Sequence, residues 1–249
     1  MLPAFFILIG TNTFGLPFWL AAILGCVVTL ILLGLAFKKL MVDPMVHHGV
    51  LPLVIATIGL AILMKEAVRE FYGADAWPFP ALWATTDITV FGAVFAVQSL
   101  LILAVCVVVV GALQLFLAGT LTGRCMQATA QNPAVARLLG IRVDRMILYT
   151  FLINAALVWI AALLVTPIYL AKFTNGELLG LYAFIAALIG GFNQVRGAIL
   201  GGLLLGVIDN FCAVYISSSY RMAIPLLLLI VVILVRPQGL LGRVEERTV

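Results

Sequence analysis

Few residues in this sequence could do chemistry, and their scarcity is itself informative. There is no nucleophile–base pair, no carboxylate dyad, no His-Glu-x-x-His run and no Gly-x-x-x-x-Gly-Lys-Ser/Thr loop. Cys26, Cys106, Cys125 and Cys212 are scattered, with no Cys-x-x-Cys pair, so they read as small apolar residues. His47-His48 lacks the further ligands that a metal site needs. The expectation is a chain with no catalytic residue, no metal and no cofactor, which is not an enzyme and does not hydrolyse ATP itself. One ionisable residue, Asp209, falls inside an apolar stretch, where such a group is a functional candidate by default. It either receives a cationic ammonium group or marks the wet end of its helix. Thr57, Gly59 and Asn154 are weaker candidates for lining a pathway.

Two polar or glycine-rich stretches carry more. The first, 118–145, contains Asn132-Pro133, an N-cap residue followed by proline at the first helical position. Leu139-Gly140 supplies the glycine that ends such a helix. A two-turn helix over Pro133–Leu139 is predicted, preceded by a short helix over Arg124–Gln131. A capped, nearly exposed helix between two apolar spans suits a groove on a partner, with an ordinary surface helix as the alternative. The second stretch holds Gly197/Gly201 and Gly202/Gly206. These are small-xxx-small pairs that let helix backbones approach closely in lipid. Close packing is the reading of all four.

The elements that must position these residues follow from composition. The chain has 249 residues, 65% hydrophobic and 10% charged. A soluble domain carries roughly 25% charge and cannot hide so much apolar surface. A soluble enzyme and a disordered chain are excluded, and a polytopic helical membrane protein, all-α, is expected. Leu16–Phe37, Val90–Leu117 and Met146–Thr166 are long enough to span. Leu51–Met64, Leu178–Gly190, Ala198–Cys212 and Met222–Val235 need their flanks to do so, or are buried half-helices. About seven spans result, plus a partial one at residues 1–10, which lack a signal-peptide pattern and read as the end of a shortened span. Alternating the loops puts Lys38, Lys39, Arg124, Arg137, Arg142, Arg145, Arg196, Arg236, Arg243 and Arg247 on one side, ten of the fourteen basic residues. That side, with the C-terminus, is cytoplasmic by the positive-inside rule. No basic cluster is dense enough for nucleic acid. The outer segment Glu70–Asp87 carries Phe71, Tyr72, Trp77, Phe79 and Trp83, an interfacial anchor or a contact for an external partner.

On these residues the sequence resembles the permease subunits of branched-chain amino acid ABC importers, of the LivH-like kind. The match is carried by Thr57-Ile58-Gly59, by Gly123-Arg124 through Asn132, Ala136 and Leu139-Gly140-Ile141, and by Gly197 to Gly206 with the ending Arg236-Pro-Gln-Gly-Leu-Leu-Gly-Arg243. It covers nearly all of the chain. The resemblance implies a single permease domain over 1–249, with 118–145 as its cytoplasmic coupling loop. Partners would be a second related permease, two cytoplasmic ATPases and a periplasmic substrate-binding protein, in the bacterial inner membrane. Arg124, Gln127, Asn132, Pro133, Ala136, Leu139, Gly140 and Ile141 would form the ATPase-coupling segment.

The sequence departs from that family in lacking a further N-terminal span and an Asn-Phe-Ala-His-Gly run, and in carrying Asp43-Pro44 where Arg-Pro is usual and Asp209 where Glu is usual. Related permeases carry urea or short amides. A secondary transporter or channel without ATPases, and a membrane scaffold, are the competing readings.

Overall fold

A computed structural model describes residues 2–45, 50–80, 87–90, 93–191, 194–215 and 223–242. His47, His48, Trp83, Asn193, Arg221, Arg243 and Arg247 therefore lie outside the described residues. Ten helices are described: α1 Leu2–Asn12, α2 Phe18–Met45, α3 Val50–Tyr72, α4 Val97–Gly119, α5 Leu121–Gln131, α6 Pro133–Leu138, α7 Val143–Tyr169, α8 Asn175–Gly190, α9 Val195–Tyr215 and α10 Ala223–Val235. Five of them, α2, α3, α4, α7 and α9, are long and apolar enough to cross a membrane, while α1, α8 and α10 are shorter apolar helices. The chain is an all-α polytopic membrane bundle, as its composition requires.

Several element edges differ from expectation. The segment expected from Val90 becomes helical only at Val97; Asp87–Val90 (β1) and Ala93–Ala96 (β2) pair antiparallel instead, with Val90 opposite Ala93. Ile88, Thr89, Val90 and Val94 are β-branched and suit a pleated ribbon better than a helix start. The 23 residues that remain in α4 still exceed the ~20 needed to cross hydrocarbon. The first long span does not stop at Phe37. It widens into i→i+5 hydrogen bonding over Leu30–Ala36 and again over Lys38–Val42, and runs on to Met45. The Lys38 ammonium meets Asp43 at 2.8 Å near that end, which keeps both charges paired as the helix leaves its apolar stretch. The short helix expected from Arg124 starts three residues earlier, at Leu121.

The chain divides into two compact units, 1–175 and 176–249. In the first, α1 packs against α2 and α7, and Ala4, Phe5, Ile7, Leu8, Ala21, Ala22, Ala162 and Leu163 form the core. Gly25 of α2 lies against Ile7, where any side chain would collide with the isoleucine. The aromatic segment after α3 turns partly inward: Phe79 is buried and meets Phe18 edge-on at 6.0 Å, while Phe71 stays exposed. It is thus core as much as anchor. In the second unit Ile185, Ile189 and Leu205 are the centre, covered by Tyr182, Leu228, Leu229, Val232 and Leu240.

Candidate functional site

The loop between α4 and α7 is built by side chains that finish helix ends. A helix leaves four carbonyls and four amides without internal partners at its termini. At the end of α4, Thr120 is extended (φ −99°, ψ 151°), and its hydroxyl oxygen accepts from Gly123 N–H at 3.0 Å, opening α5. The Thr120 hydroxyl also donates back to Phe116 O at 2.7 Å. Arg124 Nε donates to Ala118 O at 3.3 Å and Gln127 Nε2 to Leu117 O at 3.3 Å. So α5 is folded back onto the last turn of α4 and clamped there. Gly123 makes the turn possible: a Cβ at that position would run into the Phe116 and Leu117 backbone.

The second helix of the loop, α6, is capped at both ends by residues that the sequence singles out. Asn132 Oδ1 accepts from Ala134 N–H at 3.0 Å and Val135 N–H at 3.1 Å, with Pro133 in the first turn. At the other end Gly140 N–H donates to Arg137 O and Ile141 N–H to Ala136 O, both at 3.0 Å. That crossed pair is the Schellman arrangement, and it needs the positive φ that Gly140 supplies at +80°. Ala136, on the opposite face, is 1% exposed. Leu138 (87% exposed) and Leu139 (73%) point outward together with Val135. Val135, Leu138 and Leu139, at i, i+3 and i+4, form a small exposed apolar patch on the open face of this capped helix.

Of the expected coupling residues, Asn132, Pro133, Leu139, Gly140 and Ile141 shape or form this surface, and Ala136 seats it. Arg124 and Gln127 are spent on α4 carbonyls, so they hold the loop rather than form its apolar tip. Leu138 and Val135 were not among the expected residues. Their spacing from Leu139 on a helix of known start was the available signal.

The glycines separate into two faces. Gly197 and Gly201 lie against α8, where a Cβ at Gly201 would strike Ala186 O and one at Gly197 would strike Gly190 O. Within the same unit Gly202 only grazes Ala186 Cβ at 4.0 Å, and Gly206 meets nothing. With Leu203, Val207, Asn210 and Phe211 these last two line a shallow groove on α9. Sequence reading missed Gly191 and Gly239, which stand at φ +113° and +79° and touch each other. Through them the Arg236–Gly242 ending folds over α8: Leu240 N–H donates to Ile189 O at 2.9 Å and Leu241 N–H to Gly190 O at 3.0 Å.

The pathway candidates stand on three different helices, α3, α7 and α9. The Thr57 hydroxyl donates to Val54 O of its own helix at 2.8 Å, Gly59 faces open space, and Asn154 is exposed on α7 beside the buried Ala155. Asp209 belongs to the second unit, on α9. Among the described residues no group of three or more His, Cys, Asp or Glu could hold a metal ion.

Comparison with known proteins bears on what such a loop serves. Residues 1–233 match the family model described as branched-chain amino acid transport system / permease component. The chain is 31% identical over 254 residues to the high-affinity branched-chain amino acid transport system permease protein LivH of Escherichia coli, covering all of this chain and 82% of that protein. It is 33% identical over 235 residues to the corresponding BraD permease of Pseudomonas aeruginosa, 92% of this chain and 76% of that one. A ribose import permease of Haemophilus influenzae is 31% identical, over only 45% of this chain and 37% of its own length. No solved structure matches.

Proposed function

The chain belongs to the permease-component family of branched-chain amino acid transport systems, and from that membership we propose that it forms part of the membrane pathway of an ATP-binding cassette importer. Its substrates are leucine, isoleucine and valine. It pairs with a second related permease, is driven by two cytoplasmic ATPases, and receives substrate from a periplasmic binding protein. It lies in the cytoplasmic membrane with its C-terminus inside.

The observation that carries this reading is the Leu138–Leu139 tip on α6. The tip is exposed and apolar, and its backbone is fixed by caps at both ends. Arg124 and Gln127 join α5 to α4, and Val143, buried at the start of α7, follows α6 within five residues. A displacement imposed on the tip therefore passes to two long helices without being absorbed by a soft loop. An ATPase dimer that closes on ATP and opens after hydrolysis is a two-state ligand, and it biases a two-state bundle to the extent that it binds one state better. In this reading Gly202 and Gly206, open within their own unit, offer the second permease a close backbone approach.

The test is Leu139→Arg or Gly140→Asp in liposomes holding the complete importer. Membrane insertion should be unchanged, while leucine uptake and substrate-stimulated ATP hydrolysis should be lost. Unchanged coupling would refute the docking role of α6.

A further inference from the structure

At the end of the first unit away from the α4–α7 loop, an isolated backbone pairing joins two chain segments, beside the Arg69 guanidinium that lies over the Phe173 ring at 5.9 Å. Trp77 N–H donates to Ala171 O at 3.0 Å, and Ala171 N–H donates to Trp77 O at 2.9 Å. The Trp77 indole N–H donates to Tyr72 O at 3.1 Å, which fastens the segment to the end of α3. Ala171 is completely buried in the cluster that holds Phe79 and Leu8. Between the end of α7 and Ala171 stands Leu170, at φ +60° and ψ 163°, the one non-glycine residue with positive φ among those described. That region is essentially reserved for glycine, and a leucine held there is strained.

Burial of its own side chain does not explain the strain, since Leu170 is 43% exposed. The neighbours explain it. The Asn175 side-chain amide donates to Tyr169 O at 3.1 Å and to Leu170 O at 2.8 Å, pinning carbonyls on both sides of the strained residue. This turn of the backbone is what delivers Ala171 into the cluster and onto Trp77. Strain of this kind costs about as much as two or three exposed hydrogen bonds return net. An isolated pair also has no adjoining ladder to support it. The strain therefore offsets part of what the five hydrogen bonds and the buried Ala171 contribute, and a displacement of α7 has correspondingly less to overcome.

We propose that the Trp77–Ala171 pairing is a strained latch between the ends of α3 and α7, which opens when α7 is displaced and lets Leu170 relax to negative φ. Its role in switching access rests on the transport reading; its strain does not. The test is amide hydrogen exchange at Trp77 and Ala171, read by mass spectrometry on the assembled complex in lipid nanodiscs. In the unmodified chain both amides are protected. Leu170→Gly removes the strain and slows their exchange several-fold, even after glycine's greater freedom in the released state is allowed for. Asn175→Ala removes the pin and speeds exchange about tenfold, by the loss of two hydrogen bonds. Asn175→Asp, which cannot donate, behaves like the alanine variant. Trapping the complex with ATP and vanadate changes the protection of these two amides.

Equal protection in all forms would overturn the strained latch. Protection that responds to the substitutions but not to nucleotide would overturn its part in the access change. A complex that fails to hydrolyse ATP would count against the transport reading instead, and the comparison of substitutions would still decide the latch.

Discussion

The loop from Thr120 to Arg142 and the glycine contact between α8 and α9 are both rigid, and they reach rigidity by opposite means. In the loop, polar side chains fill the vacancies that helix ends leave: Thr120, Arg124, Gln127 and Asn132 each bond a backbone group of a neighbouring turn. In the glycine contact nothing is added. Gly190, Gly197 and Gly201 withhold side chains so that two backbones can touch. A structure made by added groups loses one hydrogen bond when a residue is changed. A structure made by withheld groups has no tolerance, because the obstacle to any new side chain is backbone that cannot turn away.

The largest effect is therefore expected at Gly201. Gly201→Val drives a branched side chain into the Ala186 and Gly190 backbone. Overpacking a core typically costs roughly 1–3 kcal/mol where flexible side chains can move, and here they cannot, so the cost lies above that range. The second unit should fail to form, with little folded chain recovered from membranes and what remains hypersensitive to protease. Folded chain at the unmodified level would show that the helices can separate at no cost, and that the glycine contact is as tolerant as the loop.

How far each region was legible in the sequence follows from the same distinction. Asn132-Pro133 and Leu139-Gly140 could be read directly, because a cap is a local matter: the donor, the acceptor and the glycine with positive φ lie within a few residues of one another. Three of the five long spans were legible from apolar length alone, while those around Leu51–Met64 and Ala198–Cys212 reach spanning length only through flanks that carry polar residues. The glycine pairs were legible only as a class. Gly201 and Gly202 are adjacent, yet about 100° apart around a helix, so which pair meets α8 depends on how α9 is rotated. No local pattern fixes that rotation. Gly191 and Gly239 are 48 positions apart in sequence and touch only because the ending folds over α8. The start of α4 was misplaced because Val90 and its neighbours are as apolar as a span and as β-branched as a strand; apolarity alone does not choose between them.

Intermediate effects belong to the caps of α6. Gly140→Ala meets no atom within 4 Å, so its cost is purely that of placing a Cβ at φ +80°, about 1–2 kcal/mol. Asn132→Ala releases two amides at the other end and costs about 1 kcal/mol. Both should leave the chain folded and reduce ATP-coupled uptake in proportion to how far α6 frays, measured as protection of the Ala134 and Ile141 amides beside the uptake rate. Full protection of those amides in both variants would show that the caps do not hold the helix.

The smallest effect on the chain itself should come from Gly202→Leu, one residue from the most sensitive position. The groove beside Gly202 and Gly206 has room within its own unit, and a leucine there adds apolar surface without meeting backbone. Substitutions of this kind usually change stability by less than about 0.5 kcal/mol. Thermal melting of the chain purified without partners should therefore match the unmodified protein. If the same face receives a second permease, the amount of assembled complex should fall sharply while the melting curve stays where it was. The two measurements separate a glycine kept small for its own fold from one kept small for a neighbour. A melting temperature as depressed as that of Gly201→Val would mean that both pairs serve the fold alone, and that α9 has no free face to offer.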